Sequence, residues 1–197
     1  MNFRFNHFVI LIASCSLLLT SCKDDKDDDP TPLPTSVLCD GKGSLSFMPL
    51  SLGNKWTLYA TGNTVILEVI DTLSQAGVKK YNVSSSLGGA ANYNQYPNGD
   101  VTRYEFSSGD DVLYVPFNPT VGQTWSYQVD NFTSRKVVSI NETVVTATCT
   151  YTGCVMIQSF QTTTLKRTEY FKRGVGLVSS DLVAPGVITK LASVTLN

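Results

Sequence analysis

Apolar residues run almost unbroken from Phe8 to Leu19, thin out through an acid- and proline-rich stretch ending at Thr35, and from Lys55 onward alternate with polar residues in short segments. These segments are β-branched or aromatic: "KWTLYA", "NTVILEVIDTL", "VKKYNVSSS", "VTRYEF", "VLYVPF", "TWSYQV", "RKVVSI", "ETVVTAT", "CVMIQSF", "LKRTEYF", "GLVSSDLV" and "VITKLASVTL". A period of two is that of a strand with one face buried, and no stretch carries a helical period. Turn residues separate them at Ala76-Gly77, Pro97-Asn98-Gly99-Asp100, Ser108-Gly109-Asp110 and Thr152-Gly153. Asn98-Gly99 is the strongest hairpin signal, because a type I′ turn needs positive φ at both central residues. The pattern predicts an all-β fold, an antiparallel sandwich or an open barrel.

The segments also echo one another. Pro49-Leu50-Ser51-Leu52-Gly53-Asn54-Lys55-Trp56-Thr57 aligns with Pro119-Thr120-Val121-Gly122-Gln123-Thr124-Trp125-Ser126. Later in each half comes an Arg-x-Glu-aromatic run, Arg103 to Phe106 and Arg167 to Tyr170. Two pseudo-repeated halves follow, each opening with a turn and a tryptophan-bearing strand. Trp56 and Trp125 read as equivalent core anchors.

The first apolar run is too short to span a bilayer. With Arg4 before it and small residues after it, residues 1–21 read as an export signal. Leu19-Thr20-Ser21-Cys22 resembles a bacterial lipobox, which implies lipidation at Cys22 and a membrane anchor. Lys23-Asp24-Asp25 resembles the export signal of Bacteroidota-type surface lipoproteins, and residues 22–35 read as an extended acidic, proline-rich tether. The resemblance implies an outer-membrane location, exposed at the cell surface or facing the periplasm. "FMPLSLGNKWTLY" with "YFKRGVGLVSSD" resembles uncharacterised exported bacterial β-proteins, which implies a fold class and no activity.

Residues 36–197 remain as one domain by length. They carry 12 Lys and Arg against 11 Asp and Glu, a balance that lacks the basic face nucleic acid demands. The only histidine, His7, lies in the export signal. Its absence elsewhere removes Ser-His-Asp and Cys-His catalysis and the common histidine zinc sites. No catalytic residue, metal site or cofactor is expected. A carboxylate pair could still hydrolyse glycosides. Glu105 and Glu169, however, stand two residues from Arg103 and Arg167, on the same strand face, and read as ion-paired.

Cys39, Cys149 and Cys154 would meet an oxidising compartment. Cys149 and Cys154 flank "TYTG", a hairpin-sized loop, and make the first disulfide choice; Cys39 with either is the alternative. The segment "ANYNQYPNGD", Ala91 to Asp100, is the best binding loop. Tyr93 and Tyr96 offer flat faces, while Asn92, Asn94, Gln95 and Asp100 offer hydrogen bonds of the kind sugars use. The expectation is a lipid-anchored, non-catalytic surface binding or structural domain, with a glycan as first ligand and an envelope protein as the other partner. The alternatives are a carrier or sensor of an apolar molecule in an open barrel, and a carboxylate-dependent glycan hydrolase.

Overall fold

The computed structural model describes residues 37–39, 44–60 and 62–197. The export signal, Cys22 and the tether lie outside them. Residues 36–197 gather into one unit, and among the described residues there are strands and turns but no α-helix.

The strands form two successive meanders. The first comprises β2 (Lys55–Ala60), β3 (Asn63–Gln75), β4 (Val78–Ser85), β5 (Ala90–Gln95), β6 (Val101–Glu105) and β7 (Asp110–Val115). The second comprises β8 (Thr124–Ser126), β9 (Ser134–Val145), β10 (Cys149–Gln161), β11 (Thr164–Lys172), β12 (Gly176–Leu182) and β13 (Val187–Thr195). Each strand pairs antiparallel with the next, and β13 pairs back onto β2 through Val194↔Trp56 and Leu191↔Leu58. The result is one nearly closed, barrel-like sheet in the order β7-β6-β5-β4-β3-β2-β13-β12-β11-β10-β9-β8. A short strand β1 (Val37–Leu38) lies parallel to β10.

The two ends of this order, β7 and β8, are consecutive in sequence and do not form a ladder. Side chains close that seam instead. The Trp125 indole donates to the Leu113 carbonyl at 2.7 Å, and the Arg135 guanidinium donates to the Tyr114 carbonyl at 2.6 Å. β8 is short because the chain turns back immediately: Phe132 N–H donates to the Val129 carbonyl across Asp130 and Asn131. Both of those residues have positive φ, 53° and 67°, as a type I′ turn requires. The expected Asn98-Gly99 hairpin forms with a different turn. Gly99 N–H donates to the Tyr96 carbonyl and only Gly99 has positive φ, so Pro97-Asn98 is the turn centre and Gly99 follows it.

The halves repeat at the level of single hydrogen bonds. Gly53 N–H donates to Val69 O, and Gly122 N–H to Val137 O; Val69 N–H donates back to Asn54 O, and Val137 N–H to Gln123 O. Both glycines have φ above +75°, and both valines are buried. The Arg-x-Glu echo does not belong to this repeat. Arg103 lies on β6, the fifth strand of its half, while Arg167 lies on β11, the fourth of its own.

The second-half tryptophan stands opposite Arg135 where the first stands opposite Leu67. Arg135 is therefore drawn into the core, where it is fully buried. Its guanidinium is paired with Glu169, lies 4.7 Å from the Tyr114 ring centroid and 4.8 Å from that of Tyr127. The Tyr114 hydroxyl donates to the other Glu169 oxygen at 3.1 Å. Of the two expected same-strand ion pairs, Arg167–Glu169 forms, at 3.9 Å and as the longer of the two cation contacts to that carboxylate, whereas the other is corrected: Arg103 pairs with Asp130 at 2.8 Å. Glu105 accepts the Ser107 N–H.

At the other tryptophan, the Trp56 indole donates to the Val175 carbonyl at 2.6 Å. Gly176 has φ of +108°, and a Cβ there would lie 2.6 Å from the indole nitrogen. Gly174 N–H donates to the Ser46 carbonyl, which ties the buried lead-in residues Phe47, Met48 and Leu50 to the β11–β12 turn.

Cys149 bonds to Cys39, with Cα atoms 5.4 Å apart, and not to Cys154. "TYTG" is no hairpin: it runs inside β10, where Gly153, at φ 64°, sits in a register shift. Cys149 and Cys154 are therefore about 16 Å apart along one strand. Cys154 is free and buried, and burial pushes its thiol up to about 11, leaving it protonated and unreactive at neutral pH.

Three outcomes follow from this core. Glu169→Leu, which leaves the Arg135 charge buried without its partner, lowers unfolding free energy by about 3 to 5 kcal/mol; adding Arg135→Met recovers most of that loss, but not the roughly 1 to 3 kcal/mol for the abandoned Tyr114 carbonyl. Denaturant melts of both variants check this. Burial raises the phenol pKa of Tyr93, Tyr114 and Tyr127. The unfolded chain therefore releases these protons above about pH 10 while the folded chain keeps them, and stability falls as pH rises beyond that point. Denaturant melts between pH 8 and 11 read the slope. Reducing the Cys39–Cys149 bond, which spans 110 residues, removes about 3 to 5 kcal/mol and lowers the melting temperature by roughly 10 °C in calorimetry with and without reductant.

Candidate functional site

Register on the first meander sorts side chains into two rows on one sheet face. Asp71 stands opposite Asn82, Asn82 opposite Asn92, and Tyr104 opposite Asp111. One step along, Leu73 stands opposite Lys80, Lys80 opposite Asn94, and Asn94 opposite Thr102. The alternate residues of β4 and β5 face the other way: Tyr81 and Tyr93 are directly opposed, and the Tyr93 ring is tilted against that of Tyr114 with centroids 5.2 Å apart. One surface of these strands thus feeds the aromatic core, while the other is lined with amides and charges.

The polar rows border a groove of about 260 Å³ whose lining includes Asp71, Leu73, Lys80, Asn82, Asn92 and Tyr104. Its floor is fixed by hydrogen bonds. Asn94 donates through Nδ2 to Asp111 Oδ1 at 2.6 Å, and the Tyr96 hydroxyl donates to Asp111 Oδ2 at 2.8 Å. That bond to a carboxylate is the main cause of the raised Tyr96 pKa. Tyr104 is braced edge-on against Phe106 at 5.1 Å. The side-chain amide oxygen of Asn82, Oδ1, is buried without a hydrogen-bond partner, an unusual state for a polar atom.

The residues singled out in the sequence divide among several environments. Tyr93 packs inward. Asn94 lies in the groove floor, and Tyr96 braces its edge. Gln95 lines a separate hollow beside Ser46, Leu50, Asn54 and Leu196. Asp100 is a turn cap: its carboxylate accepts from Phe117 N–H at 2.7 Å and from Asn98 Nδ2. The binding "loop" is half strand, since β5 runs to Gln95, and alternation sends its members to opposite faces. Reasoning from the loop alone missed Asp71, Leu73, Lys80, Asn82 and Tyr104. For Lys80 and Asn82 the signal was a polar spacing of two inside "VKKYNVSSS", a segment read only for its strand pattern.

Both Glu169 oxygens are engaged, by Arg135 and Tyr114, and the Glu105 carboxylate accepts the Ser107 N–H in the β6–β7 turn. Among the described residues no group of three or more His, Cys, Asp or Glu side chains is placed to hold a metal ion.

No protein-family model matches the chain, and no curated protein matches it. Among solved structures it is similar to one described as an exported protein with a YmcC-like fold from Bacteroides fragilis. That chain is 13% identical, with 76% of this chain and 99% of the other covered and a TM-score of 0.44. It is also similar to a structure described as a lipoprotein from Parabacteroides distasonis, 15% identical, with 76% and 98% covered and a TM-score of 0.44.

Proposed function

We propose that the protein is a non-catalytic, lipid-anchored binding module of the outer membrane that presents the β3–β6 groove to glycans at the cell surface. The observation that carries this reading is the pair of polar rows across β3, β4 and β5, braced by Asp111 and flanked by the Tyr104 ring. Sugars are bound by planar amides and carboxylates that take up their hydroxyls, together with an aromatic face against the ring's C–H groups. The anchor rests on the lipobox at Cys22 and the acidic tether after it. The apolar-carrier reading lacks support from the interior, which is filled by Tyr114, Tyr127, Arg135 and Phe171. The hydrolase reading loses Glu169, whose two oxygens are engaged by Arg135 and Tyr114.

On an array of neutral and charged oligosaccharides, the full-length protein in detergent retains a restricted set. The Asn92→Ala/Tyr104→Ala variant weakens the retained ligand about thirtyfold, from one hydrogen bond and one ring contact, with thermal stability unchanged. An empty array rejects the glycan reading and leaves an envelope protein as the partner. Protease added to intact cells removes the domain if it is surface-displayed and spares it if it faces the periplasm.

A further inference from the structure

We infer that the groove selects sugars bearing a 2-acetamido group, an inference that rests on the glycan reading above. The row Asp71, Asn82, Asn92 sets a carboxylate beside two primary amides, a surface that complements an amide ligand, which brings one donor and one acceptor in a plane. The buried Asn82 oxygen has no donor. The Asn82 amide nitrogen is not among the buried unpaired atoms, so the nitrogen is the end that faces the groove, where it donates to an acetamido carbonyl while the neighbouring Asn92 amide takes the acetamido N–H.

A hydroxyl could donate as well, but the second row separates the two. Leu73, 58% exposed, stands beside Lys80 in that row, and an acetyl methyl placed on it removes apolar surface from water. A sugar bearing hydroxyls alone offers no such group. Charge also narrows the class. Asp71 and Asp111 flank the groove against the single Lys80, so a carboxylated sugar meets two like charges and one opposite one.

The test is isothermal titration of the full-length protein in detergent with matched β-1,4 tetrasaccharides of N-acetylglucosamine, glucosamine and glucose, and with the corresponding galactose series. The expected result is that an acetylated member binds about tenfold tighter than its hydroxyl parent, the effect of one further satisfied hydrogen bond and a covered methyl. In Asn82→Leu that ratio falls to near one. If Asn82→Leu lowers thermal stability, Asn92→Leu serves instead, since its amide shares the row. Equal or tighter binding of the hydroxyl or amino members overturns the acetamido inference and leaves the glycan reading standing. No binding in either series, together with an empty array, overturns both.

Discussion

Burying Arg135 is the constraint on which the rest of the barrel depends. A sheet that closes without a continuous ladder must satisfy the carbonyls of its edge strand by other means, or leave buried acceptors unpaired. At the β7–β8 seam that task falls to Arg135 and Trp125, which reach the Tyr114 and Leu113 carbonyls. A guanidinium can serve there because its donors are fixed in a plane and its faces tolerate aromatic rings. Tyr114 meets it in three ways: with its carbonyl, with its ring, and through the Glu169 carboxylate that its hydroxyl also bonds. Desolvating the two charges costs several kcal/mol each, so the arrangement holds only as a set.

The internal repeat explains why the seam is there at all. Two six-stranded meanders could join symmetrically at both junctions, and one junction, β13 with β2, is an antiparallel ladder with one register shift between Leu191 and Ser193. At the other, the tight Asp130-Asn131 turn shortens β8 to Thr124–Ser126, too few residues to zip against β7. The same step of the repeat places Leu67 in one half and Arg135 in the other. The asymmetry in sequence is thus the compensation for the asymmetry in pairing. Arg103 with Asp130 adds an ion pair from the first half to the turn that causes the shortening.

The strands were legible because their alternation is regular: "KWTLYA" is β2 residue for residue. Trp56 is the core anchor its motif suggested, whereas Trp125 is only partly buried against the core and serves the seam instead. The resemblance motifs also gain a physical meaning, since the indole of "GNKW" rests on the backbone of "GVG". Arg135 was hidden, because "SRKVV" reads as an exposed basic edge until the register sets it opposite Trp125. The disulfide was hidden for a related reason. Gly153 looks like a turn residue in sequence, yet a bulge uses the same positive φ without reversing the chain. The candidate loop failed at a single point, the assumption that residues near in sequence share a face.

That alternation also argues for where binding can occur. The inward side of β4, β5 and β7 is committed to the core through Tyr81, Tyr93 and Tyr114, and any change there propagates to the Arg135 set. The groove side carries no such duty beyond Asn94 and Asp111, so Asp71, Lys80, Asn82 and Asn92 can be selected for a ligand without weakening closure. Their backbone positions are nonetheless fixed by central strands of the sheet, which keeps the ordering cost of binding low. A polar, outward-facing row on strands whose other side holds the barrel together is thus free to vary in sequence while its backbone stays fixed.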